Sequence, residues 1–392
     1  MDKKEFINKF RKDYLLSINN KKKKCVFPGC SCVSIKSHTI SKENALRSIA
    51  KDGKVFTFKP CLEKDIHILK PNCVGIGEAS IFRGFCQKHD ALFSVIDEGS
   101  FNTKYSLVIQ LFRSLGKIKT EEIENAKLID EHRKTIIDYA NGVFEKLGIS
   151  LMKNYDKSYD KNYDSGLAQL DEMYNDLAAA IEEEKHQMEK EEITDRNIIK
   201  LGKWTILYSH LDYQIPLALS SKNAYKFGGD IFNIIWIVVP QENMTDIMIM
   251  LDADGINKHI EPDIVERNWE QRTRYNLAIL ETVEAAMATT ENWYLNRDVY
   301  EALSEEKKRN LQFDVRYKCM KSFVWETINY TIFEDLWKKL LAEEKDPKVF
   351  KAASEKMAVI PDIPSDEEWK CAEKELTNEI FDIYNPLSKR VE

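Results

Sequence analysis

Two stretches decide how the N-terminal part of this chain must fold: Cys25-Val-Phe-Pro-Gly-Cys30 and, about fifty residues later, Phe85-Cys86-Gln-Lys-His89-Asp90. In the first, Pro28 and Gly29 supply the bend that lets both thiols reach one ion. In the second, a Cys-x2-His pair is followed by Leu92 and Phe93, as though opening a helix. Two pairs of soft donors are what a tetrahedral Zn²⁺ site requires, so Cys25, Cys30, Cys86 and His89 are the expected ligands. Of the 8 cysteines, Cys25, Cys30, Cys32, Cys61, Cys73 and Cys86 fall early, with His38, His67 and His89 among them, and only Cys319 and Cys371 come later. In a reducing compartment such clustering indicates metal binding rather than disulfides. Cys32 lies close enough to replace Cys30, and Cys61 and Cys73 are outside candidates. The Pro-Gly turn favours Cys30, and small apolar packing is the expected role of Cys61 and Cys73.

Between the pairs lies Ser37-His38-Thr39-Ile40-Ser41, preceded by the alternating Val33 and Ile35 and followed by the helically spaced Leu46 and Ile49. A thiol pair, then a strand ending in a small polar residue, His and an apolar residue, then a Cys/His pair opening a helix, resembles the zinc-stabilised, treble-clef members of the HNH endonuclease family. The resemblance covers residues 25–97. It implies that His38 polarises the water that attacks a phosphodiester and that Asp90, just past the second pair, holds a catalytic Mg²⁺ or Mn²⁺. The chemistry is consistent: a neutral imidazole accepts a proton near pH 7, and a carboxylate suits a hard divalent cation. Ser37 departs from the family, which often has Asp or His there as a metal ligand. The separation of His38 from Cys86 is longer than usual, and Asn72 is the candidate for the family's middle Asn. His38 has two structural alternatives: a fifth zinc ligand, or a hydrogen-bonded brace of the turn.

The chain has 392 residues, 43% hydrophobic and 31% charged, which is ordinary for a globular protein and long enough for two or three domains. Its net charge of −7 is unevenly spread. Residues 1–120 hold 23 Lys and Arg against 11 Asp and Glu, leaving 35 basic and 54 acidic residues for the rest. The N-terminal part is thus net positive and suits a polyanion, DNA rather than RNA; the remainder is net negative and would repel one. The most apolar run, Ile231 to Pro240, is about half the length of a membrane-spanning helix, and Met1 to Phe10 has no apolar signal core, so a cytoplasmic protein without a membrane partner is expected.

Residues 1–24 suggest a short amphipathic helix ending in the basic run Lys21 to Lys24. Helical spacing from Ser106 to about Met152 fits two long helices, the tract Asn154 to Ser165 reads as a loop, and Leu167 to Glu192 reads as a further helix. Trp204 to Tyr208, Phe232 to Val239 and Asp246 to Asp252 read as strands, the last two forming a hairpin through Pro240 to Thr245. Helical signals return over Val265 to Met287, Asp298 to Leu303, Ile332 to Leu341 and Asp366 to Tyr384. Asp252-Ala-Asp254-Gly255 lacks the glutamate of a calcium loop and reads as a turn.

The expected architecture is α+β and mainly helical: a zinc module over 1–104, a long helical hairpin region over 105–195, and a mixed α+β domain over 196–392. The expected function is metal-dependent endonucleolytic cleavage of nucleic acid, with defence of a bacterium against foreign DNA as a setting suggested by association. The alternative is a non-catalytic, zinc-stabilised protein that binds nucleic acid or protein and forms homo-oligomers through its long helices.

Overall fold

The run from Phe232 to Pro240 is apolar at nearly every position, a pattern that fits a strand covered on both faces rather than one that alternates between core and water. In the computed structural model of the protein every side chain from Phe232 to Pro240 is buried, as is every one from Thr245 to Leu251. The structure describes residues 23–60, 69–97, 99, 101–122, 161–228, 230–317, 328–372 and 374. The expected helix over 1–22, the helical stretch over 123–152, most of the expected loop that follows, Cys61, His67, Cys319 and the chain beyond 374 lie outside those residues.

Among the described residues the strands are, in chain order, β1 (Ser37–His38), β2 (Lys54–Pro60), β3 (Leu69–Gly75), β4 (Ile81–Phe82), β5 (Arg196–Leu201), β6 (Trp204–Leu211), β7 (Leu217–Phe227), β8 (Asp230–Pro240), β9 (Thr245–Leu251) and β10 (Trp293–Leu295). β1 and β4 pair with each other. The others form one 8-stranded sheet in the order β3-β2-β10-β7-β8-β9-β6-β5, antiparallel at each junction. The predicted hairpin is β8–β9, closed where Pro240 faces Thr245.

This sheet overturns the mainly helical description, although α+β stands. Three of its members explain why local pattern understated it. β7 reads Leu-Ala-Leu-Ser-Ser-Lys-Asn-Ala-Tyr-Lys-Phe, poor in strand formers; it holds as a strand because β10 and β8 pair with its two edges and bury Ser220, Ser221 and Asn223. β3 contains Pro71, which a strand tolerates only at the sheet edge that β3 occupies. β10 is 3 residues long and is defined by its neighbours β2 and β7.

Each face of the sheet has its own core. On one face Val55, Tyr208, Ile237 and Met248 pack with the cysteine-bearing module, with residues 104–122, which form a helix, and with the helix Lys161–Glu183. On the other, Phe56, Leu207, Trp236 and Ile249 pack beneath the helices Asn276–Thr289, Glu305–Tyr317 and Glu334–Glu343. The apolar stripe of Lys161–Glu183, with Leu170, Met173, Leu177 and Ile181, is therefore buried within the chain. Asp252 caps the short helix Ala253–Asn257 by accepting a 2.7 Å bond from the Gly255 N–H, so the motif expected as a turn opens a helix instead.

The module and the sheet are interleaved. After β1 the chain runs through a helical segment, Lys42–Leu46 and Arg47–Ile49, and then leaves to build β2 and β3 before returning as β4. That excursion accounts for the long separation of His38 from Cys86. It also means that the stretch expected as a self-contained zinc module, 1–104, supplies two strands to the sheet of the distal region. The seam is held by the Asn296 amide donating to the Ile49 carbonyl at 3.0 Å, by Gln214 donating to the Ser48 carbonyl at 3.2 Å, and by Lys51 gripping both oxygens of Asp298 at 2.7 and 2.6 Å. Phe56 of β2 is 2% exposed and stacks on Tyr300 with ring centres 3.8 Å apart.

Candidate metal centre

The tight turn predicted around Pro28 and Gly29 forms as expected. Gly29 has φ +72°, a left-handed conformation that glycine adopts without a Cβ penalty. The Cys30 N–H donates to the Phe27 carbonyl at 3.0 Å, and the Cys25 N–H donates to the Cys32 carbonyl at 2.8 Å. The Val26 N–H donates to the Gly84 carbonyl at 2.7 Å, which ties this turn to the chain just ahead of the second pair. Cys86 then precedes the helix Gln87–Asp90, and the N–H groups of His89 and Asp90 both donate to its carbonyl at 3.0 and 2.8 Å. The helical turn places Cys86 and His89 on one side, as an i, i+3 pair must be.

The four side chains converge. Cys25 Sγ lies 3.3 Å from His89 Nδ1, Cys86 Sγ 3.5 Å from the same nitrogen, and Cys30 Sγ 3.9 Å from Cys86 Sγ. All four ligand atoms lie within 4.8 Å of one another. A tetrahedral ion with bonds of about 2.3 Å to sulfur and about 2.0–2.1 Å to nitrogen leaves about 3.8 Å between sulfurs and about 3.6 Å between sulfur and nitrogen. The cluster has the size of such a coordination shell, so these residues can hold a metal ion.

The surroundings favour the same use. Cys25, Cys86 and His89 are buried, and the Phe27 ring stacks on His89 at 3.9 Å and 11°. Burial pushes the Cys25 thiol up to about 12, so a thiolate there requires a neighbouring cation. Burial also works against Cys86, but the His89 N–H and the other two thiols outweigh it and hold Cys86 below the ordinary thiol value. Burial and then the Lys88 charge lower His89, leaving a neutral imidazole, the form that ligates. Cys32 and Cys73 are exposed and outside the cluster.

His38 ends β1, where it faces Ile81 of β4. Its Nδ1 lies 2.9 Å from the Ala79 carbonyl and 3.3 Å from Ser80 Oγ. A carbonyl only accepts, so Nδ1 carries the proton and Nε2 keeps the lone pair. Ser80, the residue after this carbonyl, has φ +58°, an unfavourable value for a residue with a side chain. Burial lowers the His38 pKa, assisted by the positive charges of Arg113 and Lys42 and opposed by the Ala79 bond and Asp97. Asn72, the candidate for the middle Asn, sits in β3 opposite Thr57.

Asp90 lies at the end of the helix Gln87–Asp90, and its Oδ1 is buried without a hydrogen-bond partner, as is Ser37 Oγ. Asp90 and His38 share no hydrogen bond. A further pair lies outside the sequence motifs: Arg113, 4% exposed, forks onto Asp97 at 2.7 and 3.3 Å and lies over the Phe93 ring. An arginine directly after the apolar run Leu107 to Phe112 is the signal that could have found it, because a buried guanidinium needs a carboxylate. No helix among the described residues is long and apolar enough to cross a membrane. Comparisons with protein-family models, with curated proteins and with solved structures give no match.

Proposed function

We propose that the N-terminal module is a zinc-stabilised, metal-dependent nucleic-acid endonuclease in which His38 is the general base. The observation that carries the reading is the His38 ring itself. With Nδ1–H anchored on the Ala79 carbonyl and a lowered pKa, the imidazole is neutral at physiological pH with its Nε2 lone pair available. That is the state needed to take a proton from a water attacking phosphorus. Three sulfurs and one imidazole nitrogen form a donor set suited to Zn²⁺, and an ion held by all four would have a structural role, holding the module together rather than meeting substrate. A second cation, Mg²⁺ or Mn²⁺, would supply charge stabilisation at the phosphate; Asp90, with its unpartnered buried oxygen, is the residue that would hold it.

The test joins three measurements on one sample of full-length His38→Ala: zinc content, melting temperature and plasmid nicking with Mg²⁺ or Mn²⁺. The reading requires cleavage to disappear while zinc and melting stay near wild type. Retained nicking would remove His38 from the mechanism. A second reading, a non-catalytic scaffold for nucleic acid or protein, is favoured by one observation: Arg113 and Lys117 of the 104–122 helix are buried and committed to Asp97 and Glu121 rather than offered to phosphate. In that case His38→Ala lowers stability or zinc content and no metal elicits cleavage.

A further inference from the structure

The short ribbon of β1 and β4 sorts its side chains between two faces. Ser37 and its partner Phe82 are 2% and 7% exposed, so both point into the module. In a strand, successive side chains alternate. Within the paired residues His38 and Ile81 therefore take the opposite face, while Lys36 precedes Ser37 and Arg83 follows Phe82, at the same end of the ribbon just beyond its paired residues. Lys36 is exposed and Arg83 and His38 are half-buried. Two cations thus flank one end of the ribbon, and the imidazole stands in the next residue pair along it.

Several cations nearby are already committed to acids. Lys42 pairs with Glu43 at 3.0 Å, Arg47 pairs with the same carboxylate, Lys51 holds Asp298, and Arg113 and Lys117 are buried against acids. Lys36 and Arg83 have no acidic partner among the described residues. Like charges at one end of a paired ribbon repel each other, a cost that an anion between them would remove. They belong to the first 120 residues, where 23 basic residues face 11 acidic ones.

We propose that Lys36 and Arg83 form a phosphate clamp that seats the phosphodiester backbone of a nucleic acid across the β1–β4 ribbon and so delivers it to His38. This rests on the reading of the module as one that acts on nucleic acid, and adds the surface that binds it. The partner is recognised through its backbone charge. Lys36 contributes a mobile point charge and Arg83 a fork able to bond two phosphate oxygens. Neither touches a base, so the interaction is independent of sequence.

The experiment uses the full chain in a His38→Ala background, which prevents cleavage, and short fluorescein-labelled duplexes of DNA and of RNA with the same sequence. Anisotropy titrations between roughly 50 and 200 mM salt give the slope of log K against log salt, which falls in magnitude by about 0.9 for each B-DNA phosphate that the protein ceases to neutralise. Lys36→Gln and Arg83→Gln are each expected to lower the DNA slope by about that amount, and the double variant by about twice as much. Lys36→Arg should restore it. Lys351→Gln, on the helix Pro347–Met357, is the control and should leave it unchanged. Zinc content and melting verify that each variant is folded. The polymer on which the slope responds identifies the partner. Unchanged slopes on both polymers, an equal fall in the Lys351 control, or no binding by the parent chain overturn the clamp. The two proposals fail separately: unchanged slopes with His38-dependent cleavage intact remove only the clamp, whereas reduced slopes without cleavage remove only the catalysis.

Discussion

Glu284 offers a quantitative test of the distal region. Its side chain is fully buried in the helix Asn276–Thr289, where Oε1 accepts from the N–H groups of Ile332 and Phe333 at 2.7 and 3.0 Å and from Trp337 Nε1 at 2.9 Å. Oε2 is buried without a partner. Burial, against the opposing influence of Lys356 and the three donors, pushes the carboxyl from 4.5 up to about 7. The sign follows from proton linkage: between those values the folded chain binds a proton that the unfolded chain has lost, so stability falls as pH rises through that window. The rise from 4.5 to about 7 corresponds to about 3 kcal/mol, fully present below about pH 4.5 and lost by about pH 7. Glu284→Gln keeps the shape and the accepting oxygen but cannot ionise. It places an amide where Oε2 has no partner, which costs about 1–3 kcal/mol at every pH. The variant should therefore be less stable than wild type near pH 5 and equal or more stable near pH 8, the difference between the two chains changing by about 3 kcal/mol. Urea titrations followed by tryptophan fluorescence, with Trp337 bonded to the mutated group, read this difference. Parallel pH profiles for the two chains would refute the reasoning.

Other outcomes follow from the same structure. Purified protein should carry about one zinc per chain, and Cys25→Ser or Cys86→Ser, or a strong chelator, should remove it and unfold residues 23–50 and 81–97, read by elemental analysis and hydrogen exchange. Phe56→Ala should cost about 3–5 kcal/mol and deprotect the β2 and β3 amides before those of β8 and β9, because it empties the stack on Tyr300. Cleavage, if His38 is its base, should be flat at and above neutral pH and fall only in acid below the ordinary histidine value, since burial lowers that pKa. An inflection above about pH 6.5 would contradict a buried, carbonyl-anchored ring.

Local signals sufficed wherever the constraint was local. The ligands Cys25, Cys30, Cys86 and His89 could be chosen from spacing because a Pro-Gly turn and one helical turn each bring their own pair together. β8, β9 and the turn between them were legible because β-branched and aromatic residues crowd both strands. The expected helix starts near Val265, Asp298 and Asp366 fall within a few residues of those observed, since periodic apolar residues mark them.

What only the tertiary structure decided was the company these elements keep. Nothing within Lys54–Pro60 and Leu69–Gly75 says that these paired strands leave the cysteine-bearing module so that Phe56 can meet Leu295 of β10. Nor does the composition of β7 announce a central strand. The His38 ring is oriented by a carbonyl 41 positions away, at Ala79, a contact no local pattern signals. Pairing of this kind depends on backbone groups, which every residue carries alike, and on neighbours far along the chain. A side-chain pattern reports which face is apolar; it does not report which distant edge or carbonyl will be there to meet it.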